Sequence, residues 1–323
     1  FASLNRNKRS AVLNLKDPQD VALARRLILE ADVLVENNRP GVMDRLGLGY
    51  AALSAEKPEL LFCSISAYGQ SGPRASEGGF DLTIQAAAGV MSVTGEPAGA
   101  PVKCGVPLSD FASGLYAAFS IASMLAHVRA GGRGAHIDIP MFGCTLGIAA
   151  LQTSEYFGNG RSPGKLGSAH PRNAPYQAFQ AQDGYFAIAA GNHKLWLDVL
   201  RVVQMPALAD EIVTQEYAFY RFLSTTDRAR NQQALKEILE EVFTQRPVAH
   251  WIDAFNQAGV PHARINDYAA ALADPQTVHM GWVQPLTLPN GQQTRTFASP
   301  VRLNGQVSRI RRPPPDLGQH TDE

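Results

Sequence analysis

Apolar residues along this chain fall into short runs separated by longer, helically spaced patterns. Ala11-Val-Leu-Asn-Leu15 reads as a short strand. Asp17-Pro18 then opens a helix over about 18–30, with Val21, Leu23, Leu27 and Ile28 as its apolar positions. Asp32–Glu36 and Leu60–Ser66 are strand-length, and the second is almost continuously apolar, as in a strand covered on both faces. Residues 81–90 can be helical. A long helix is expected over about 111–129, with Leu115, Ala118, Phe119, Ala122 and Leu125 on one face, stopped by Gly131-Gly132. His136–Ile139 alternates like a strand. Such alternation of strands and helices predicts an α/β fold with a parallel sheet, whose strand-end turns are the usual places for ligands.

The middle of the chain changes character. Gly158, Gly160, Pro163, Gly164, Gly167, Pro171 and Pro175 crowd residues 158–175, which read as a linker or active-site loop. Residues 176–190 predict a hairpin turning at Asp183-Gly184. Helices follow at about 193–203, 228–245 and 247–258, and loops with short strands from Asp274-Pro275 onward.

Composition narrows the function. Of 323 residues 45% are hydrophobic and 18% charged, enough for a real core. Lys+Arg and Asp+Glu are both 29, and a zero balance argues against nucleic acid or an anionic membrane surface as partner. No apolar run approaches the ~20 residues of a membrane span, since Ser120 and Ser123 interrupt the richest stretch, Leu115–Leu125. Three widely spaced cysteines, Cys63, Cys104 and Cys144, suit a reducing compartment better than a disulfide framework or zinc site. G-x-G-x-x-G, G-x-x-x-x-G-K-[ST] and G-x-S-x-G are all absent. Ser162-Pro-Gly-Lys165 matches S-x-x-K only by letters, because Pro163 and Gly164 deny it a helical start. No metal site is expected.

Three loops remain: Asn5–Ser10 leading to Leu13 and Lys16; Glu36-Asn37-Asn38-Arg39-Pro40-Gly41-Val42 leading to Arg45; and Gly105-Val-Pro-Leu-Ser109-Asp110. Taken singly, Lys8, Arg9 and Lys16 read as solvated surface. Arg45 reads as an exposed helix residue with a packed stem, and Asp110 as an N-cap. Together they read differently. Basic residues at strand-to-helix turns can hold phosphates, and a carboxylate among Leu108, Ser109, Phe111 and Ala112 could attack an activated acyl group.

At these residues the chain resembles the class III CoA-transferases (the CaiB/BaiF-like family that includes formyl-CoA transferase), and among them most the succinyl-CoA-dependent dicarboxylate transferases. The resemblance is carried over essentially the whole length. Its segments include Asn5–Ser10, Ala31–Asn37, Arg39–Gly41, Arg45–Leu48, Gly69–Pro73, Gly105–Asp110, Gly132–Gly134, Ala174–Gln177, Asp274–Gln276 and Leu317–Thr321. It implies a CoA-transferase whose nucleophile is Asp110. CoA or acyl-CoA would be bound as substrate, with no tightly held cofactor. Leu13, Lys16, Asn37, Asn38, Val42, Arg45 and Phe80 would contact CoA, and Gly167, Ser168 and His170 would lie near the acyl group. For His170 the bland alternative is a loop histidine packed on Pro171.

The resemblance has departures. Asn38 stands where the family usually has Phe, and Gly78 where formyl-CoA transferase has a Lys near CoA, which weakens one phosphate contact. Gly167-Ser-Ala-His-Pro171 lacks that enzyme's run of glycines. The α-methylacyl-CoA racemases share the fold, but they carry His where this chain has Phe80, and Phe cannot transfer a proton. That reading, like that of an inactive CoA-binding paralogue, is minor. Pro101–Pro107 favours a dicarboxyl-CoA such as succinyl-CoA as donor, with Lys103, Arg74 or Arg172 meeting the second carboxylate. The implied architecture is a large Rossmann-like domain of residues 1–157 and 271–323, a linker at 158–175 and a small α+β domain of 176–270, in an interlocked homodimer. The implied compartment is the cytoplasm, or the mitochondrial matrix in a eukaryote. The resemblance also implies further chain at both ends.

Overall fold

The computed structural model describes residues 1–210, 212–214 and 219–323. The chain divides into two compact units, Leu13–Ser168 and Phe1–Val12 with Ala169–Glu323. The division falls inside the expected 158–175 loop. Residues 271–323, however, group with 176–270 rather than with the unit the sequence reading assigned them to.

The Leu13–Ser168 unit holds a parallel sheet of Val33–Glu36, Leu61–Ser66 and His136–Pro140, in that spatial order. Leu61, Phe62 and Cys63 of the central strand are almost wholly buried, which explains its unbroken apolar run. Helix Pro18–Glu30 starts as expected: Asp17 accepts the Gln19 N–H at 2.8 Å and Pro18 holds the first turn. It packs Ala24 and Ile28 with Leu48, Leu53, Leu60 and Phe62. Gly134 is required by packing, because a Cβ there would sit 2.1 Å from the Leu60 carbonyl oxygen.

Helix Leu108–Arg129 packs against the strands Leu61–Ser66 and His136–Pro140. Ala112 and Ala117 bury themselves with Cys63, Ile139 and Cys144, and their small side chains permit the close approach. The helix begins earlier than the apolar pattern predicts, so Asp110 lies in its first turn and is not its N-cap. Among the described residues this is also the one helix long and apolar enough to cross a membrane, correcting the expectation that no such stretch exists. Its packing on the sheet accounts for its apolar inner side. Its outer side leaves Phe111, Leu115 and Phe119 exposed.

Three other expectations fail along the N-terminal half of the chain. Residues 11–15 form no strand, because neighbouring N–H groups are taken by side chains: Ser10 by His320 Nδ1, Val12 by Thr321 Oγ1 and Asn14 by Asp20. The 81–90 helix ends at Ala87, and Gly89, at φ 81°, separates it from Val90–Val93. Helices Met141–Ile148 and Ala150–Asn159 were not foreseen; neither has a side-chain cap to announce it.

The other unit carries an antiparallel sheet of Tyr176–Ala181, Gly184–Ala189 and His262–Arg264. The first two strands are the hairpin expected at Asp183-Gly184. Helices His193–Val202, Gln232–Phe243 and Val248–Ala258 contribute to an aromatic core with Phe179, Phe186, Trp196, Phe243, Trp251 and Phe255. Rings meet edge to face, as in Phe186–Phe243 and Phe243–Trp251, both at 5.0 Å between centroids.

Candidate active site

The loop and short helix after Val33–Glu36 hold four of the residues singled out by sequence, Asn37, Asn38, Val42 and Arg45, at a strand end where ligands of open α/β sheets usually lie. After Val33–Glu36, Gly41 at φ 79° starts the short helix Val42–Arg45, leaving Arg45 exposed. Asn37 Nδ2 donates to the Ile65 carbonyl at 2.6 Å and so holds this loop to the end of the neighbouring strand. The Asn38 N–H is taken by Glu36 at 2.7 Å. Arg39, exposed in the same loop, places its guanidinium where a Cβ on Gly78 would be 3.3 Å away. Gly78 is thus backed by a cation from the neighbouring loop, which leaves little room for a larger side chain.

Asp110 is exposed as a residue, and among the described residues its carboxylate has no hydrogen-bond or ion-pair partner. A first-turn position ordinarily favours a negative charge. Even so, partial burial of the carboxyl, and then repulsion by Asp81, raise its pKa above the usual carboxylate range. The N-cap reading fails for a specific reason. The helix is instead capped from a distance by Asp81, whose Oδ1 accepts the Ser109 N–H at 2.9 Å. Gln85 Nε2 donates to Asp81 Oδ2 at 2.8 Å, and Gln85 Oε1 accepts the Cys104 N–H at 2.9 Å. An unpaired carboxylate with raised basicity, on a rigid helix end, is suited to nucleophilic attack.

Asp81, Gln85 and Arg39 are the residues sequence reasoning did not single out. The Asp-x-x-x-Gln spacing within Asp81–Ala87 was a weak signal for the first two. Phe80 is 83% exposed ahead of that helix, available to a ligand face and unable to move a proton.

The remaining candidates are scattered. Leu13 packs with the Ala24–Phe62 cluster, and Lys16 is exposed with its N–H on Asn14 Oδ1 at 3.2 Å. Gly167, at φ 61°, donates its N–H to the Gly95 carbonyl at 3.0 Å. Ser168 ends the same unit. His170 belongs to the other unit. Its Nδ1 accepts the N–H groups of Arg172 and Asn173, each at 3.1 Å, and its ring lies 5.0 Å from that of Tyr176. That histidine organises its own turn and packs on Tyr176. Of the three cations suggested for a second carboxylate, Arg172 is exposed and belongs to the other unit, and Arg74 is engaged by Glu77 at 2.7 Å and by Tyr68 Oη at 2.6 Å. Lys103 is exposed, with one bond, to the Cys104 carbonyl at 3.1 Å.

The sequence model of CoA-transferase family III matches residues 1–321. The chain is similar to the acetyl-CoA:oxalate CoA-transferase of Acetobacter aceti, at 41% identity over 86% of this chain and 69% of that protein. It is similar to human succinyl-CoA:glutarate CoA-transferase, at 33% identity over 99% of this chain and 72% of the relative. Among solved structures it resembles a CAIB/BAIF family protein from Brucella suis, with a TM-score of 0.83, 35% identity and coverage of 99% and 82% of the two chains.

Proposed function

From the premise that this chain belongs to CoA-transferase family III and is a CoA-transferase, we propose that Asp110 is the nucleophile in CoA transfer to a dicarboxylic acid. An Asp110 oxygen attacks the thioester carbonyl carbon. The C–S bond breaks, CoA leaves as thiolate and an acyl-aspartyl anhydride forms. The thiolate then attacks the Asp110 carboxyl carbon, expelling the donor acid and leaving a thioester between Asp110 and CoA. The acceptor carboxylate attacks that carbon in turn and forms a second anhydride. CoA thiolate, released again, attacks the acceptor's acyl carbon and restores the Asp110 carboxylate. Each step exchanges one acyl bond for another of similar reactivity.

The observation that carries this reading is the unpartnered, basicity-raised carboxylate at the first turn of Leu108–Arg129. Lys16, Arg39 and Arg45 would meet CoA phosphates. Leu13, Asn37, Asn38 and Val42 would line the rest of CoA, with Phe80 against it. Gly167, Ser168 and His170 would lie near the acyl group. Succinyl-CoA is the proposed donor and a dicarboxylate the acceptor, since both relatives named above carry a dicarboxylate in their names. Lys103 is the better cation for the second carboxylate, because Arg74 is already engaged. Acetyl-CoA as donor is favoured by one observation, the 41% relative. The assembly proposed is an interlocked homodimer, and the compartment a reducing one such as the cytoplasm, in keeping with three free cysteines.

Mass spectrometry of a panel of CoA donors and acids tests the substrate. Succinyl-CoA or acetyl-CoA with a dicarboxylate should turn over, and turnover of monocarboxylates alone would sink the proposal. Asp110→Ala should lower transfer by about a thousandfold or more and abolish the enzyme-bound CoA. Survival of exchange in that variant rules the mechanism out.

A further inference from the structure

One pair of side chains beside Asp110 has no part in the chemistry just described. Gln85 is fully buried and Asp81 partly so, one helical turn apart. Through the Cys104 N–H on Gln85 and the Ser109 N–H on Asp81, the pair grips both ends of the approach to the nucleophile. That approach contains Gly105 and Pro107 and has no helix or strand before Leu108, so no regular hydrogen-bond ladder fixes it. Cutting either link leaves a partly buried amide N–H without its partner and lets the helix start drift.

We propose that Asp81, held by Gln85, is a positioning residue for Asp110: it fixes the helix start and keeps beside the nucleophile a negative charge whose repulsion vanishes when Asp110 is acylated. This rests on reading Asp110 as the nucleophile. With Asp110 ionised, two like charges stand together. Once an Asp110 oxygen bonds to the acyl carbon and the thiolate departs, that carboxyl is neutral and the negative charge has passed to CoA. Asp81 therefore disfavours the resting carboxylate relative to the anhydride and the thioester, an interaction that changes along the reaction coordinate. The elements packed against Leu108–Arg129 also bring Cys63, His136, Asp138 and Cys144. Of these groups, Asp81 is the one whose repulsion raises the Asp110 pKa.

The test compares the full-length wild type with Asp81→Asn, Gln85→Met and Asp110→Ala, using succinyl-CoA or acetyl-CoA (whichever turns over) with a dicarboxylate. Asp81→Asn should lower kcat by about ten- to a hundredfold with KM for acyl-CoA within about twofold. It should also move the acid limb of the kcat/KM profile to lower pH, since losing the neighbouring charge lets Asp110 ionise more easily. A merely structural role would not move that limb. Gln85→Met should lower kcat and the amount of enzyme-bound CoA while leaving the limb close to its wild-type position, because the Asp81 charge remains. If Asp81→Asn folds with wild-type kcat, or its acid limb stays where it was, the inference is wrong. Should Asp81→Asn not fold, Gln85→Met decides: wild-type kcat and bound CoA overturn the inference, and loss of both supports it. Asp110→Ala separates the two readings. Activity in that variant overturns the nucleophile, whereas its loss beside a wild-type-like Asp81→Asn overturns only the positioning role.

Discussion

The two compact units use their polar side chains in opposite ways. In the unit of residues 1–12 and 169–323, the buried cation Arg228 is surrounded by acceptors. It donates to the Ala174 carbonyl at 2.8 Å, to the Phe222 and Leu223 carbonyls at 3.1 and 2.9 Å, and to Thr225 Oγ1 at 3.2 Å. Its guanidinium also faces the Trp196 ring, 5.4 Å from the centroid. In the Leu13–Ser168 unit, the Asp110 carboxylate has no hydrogen-bond or ion-pair partner among the described residues and has a like charge nearby. A satisfied buried charge gives rigidity, whereas an unsatisfied one at a surface gives reactivity. The contrast says where mutations should hurt stability and where they should hurt transfer.

The largest stability effect should come from Arg228→Met. The change keeps much of the packing but strands three carbonyls, each costing about 1–3 kcal/mol when unpaired. A loss of at least about 3 kcal/mol is expected, lowering Tm by roughly 10 °C at the 2–4 °C per kcal/mol typical of a unit of about 150–250 residues. Calorimetry checks it. A change within a degree or two would mean that the carbonyls find other partners and that the contrast between the units is overstated.

Much of the fold is legible in the sequence, and the rest fails for identifiable reasons. Asp17-Pro18 and Asp183-Gly184 announced a helix start and a hairpin because cap and turn chemistry are local. The start of Leu108–Arg129 was misread because its cap is not local: Asp81, far back in the chain, supplies the acceptor that a neighbouring residue normally would. The same distance hid Asp81 and Gln85 from any motif. Arg39 was visible only as part of a loop, because its position beside Gly78 depends on how two strand-end loops meet. The expected strand at 11–15 was lost to side-chain acceptors from Asp20 and from the end of the chain. Asp110 is legible only through the resemblance, because composition alone favours a helix cap at that position.

A middle-sized effect tests the phosphate side of the site. Arg45→Ala removes an exposed cation with no ion-pair partner among the described residues. Its loss should raise KM for acyl-CoA by about tenfold, worth about 1.4 kcal/mol, with kcat nearly unchanged. Dephospho-CoA thioesters sharpen the reading. If Arg45 meets the 3′-phosphate, the variant and wild type should converge on that substrate. A fall in kcat without a change in KM would move Arg45 out of the CoA site.

The smallest effect is the most pointed, because it asks whether the reactive carboxylate costs the fold anything. Burial and Asp81 raise the Asp110 pKa in the folded protein. A carboxyl whose pKa is raised by folding contributes stability below its unfolded pKa, near 3.9, and that contribution is lost as pH climbs through the folded pKa. At neutral pH the ionised Asp110 is therefore a mild liability. Asp110→Asn, which cannot ionise, should raise Tm slightly at pH 7 while abolishing transfer, the signature of a group kept for chemistry at the expense of stability. The gain should shrink as pH falls and disappear below about 3.9, where wild-type Asp110 is protonated whether the chain is folded or not. Paired melting curves across that range decide it. A variant less stable than wild type at pH 7 would mean that the Asp110 carboxylate is satisfied in the fold, and the contrast with Arg228 would lose its physical basis.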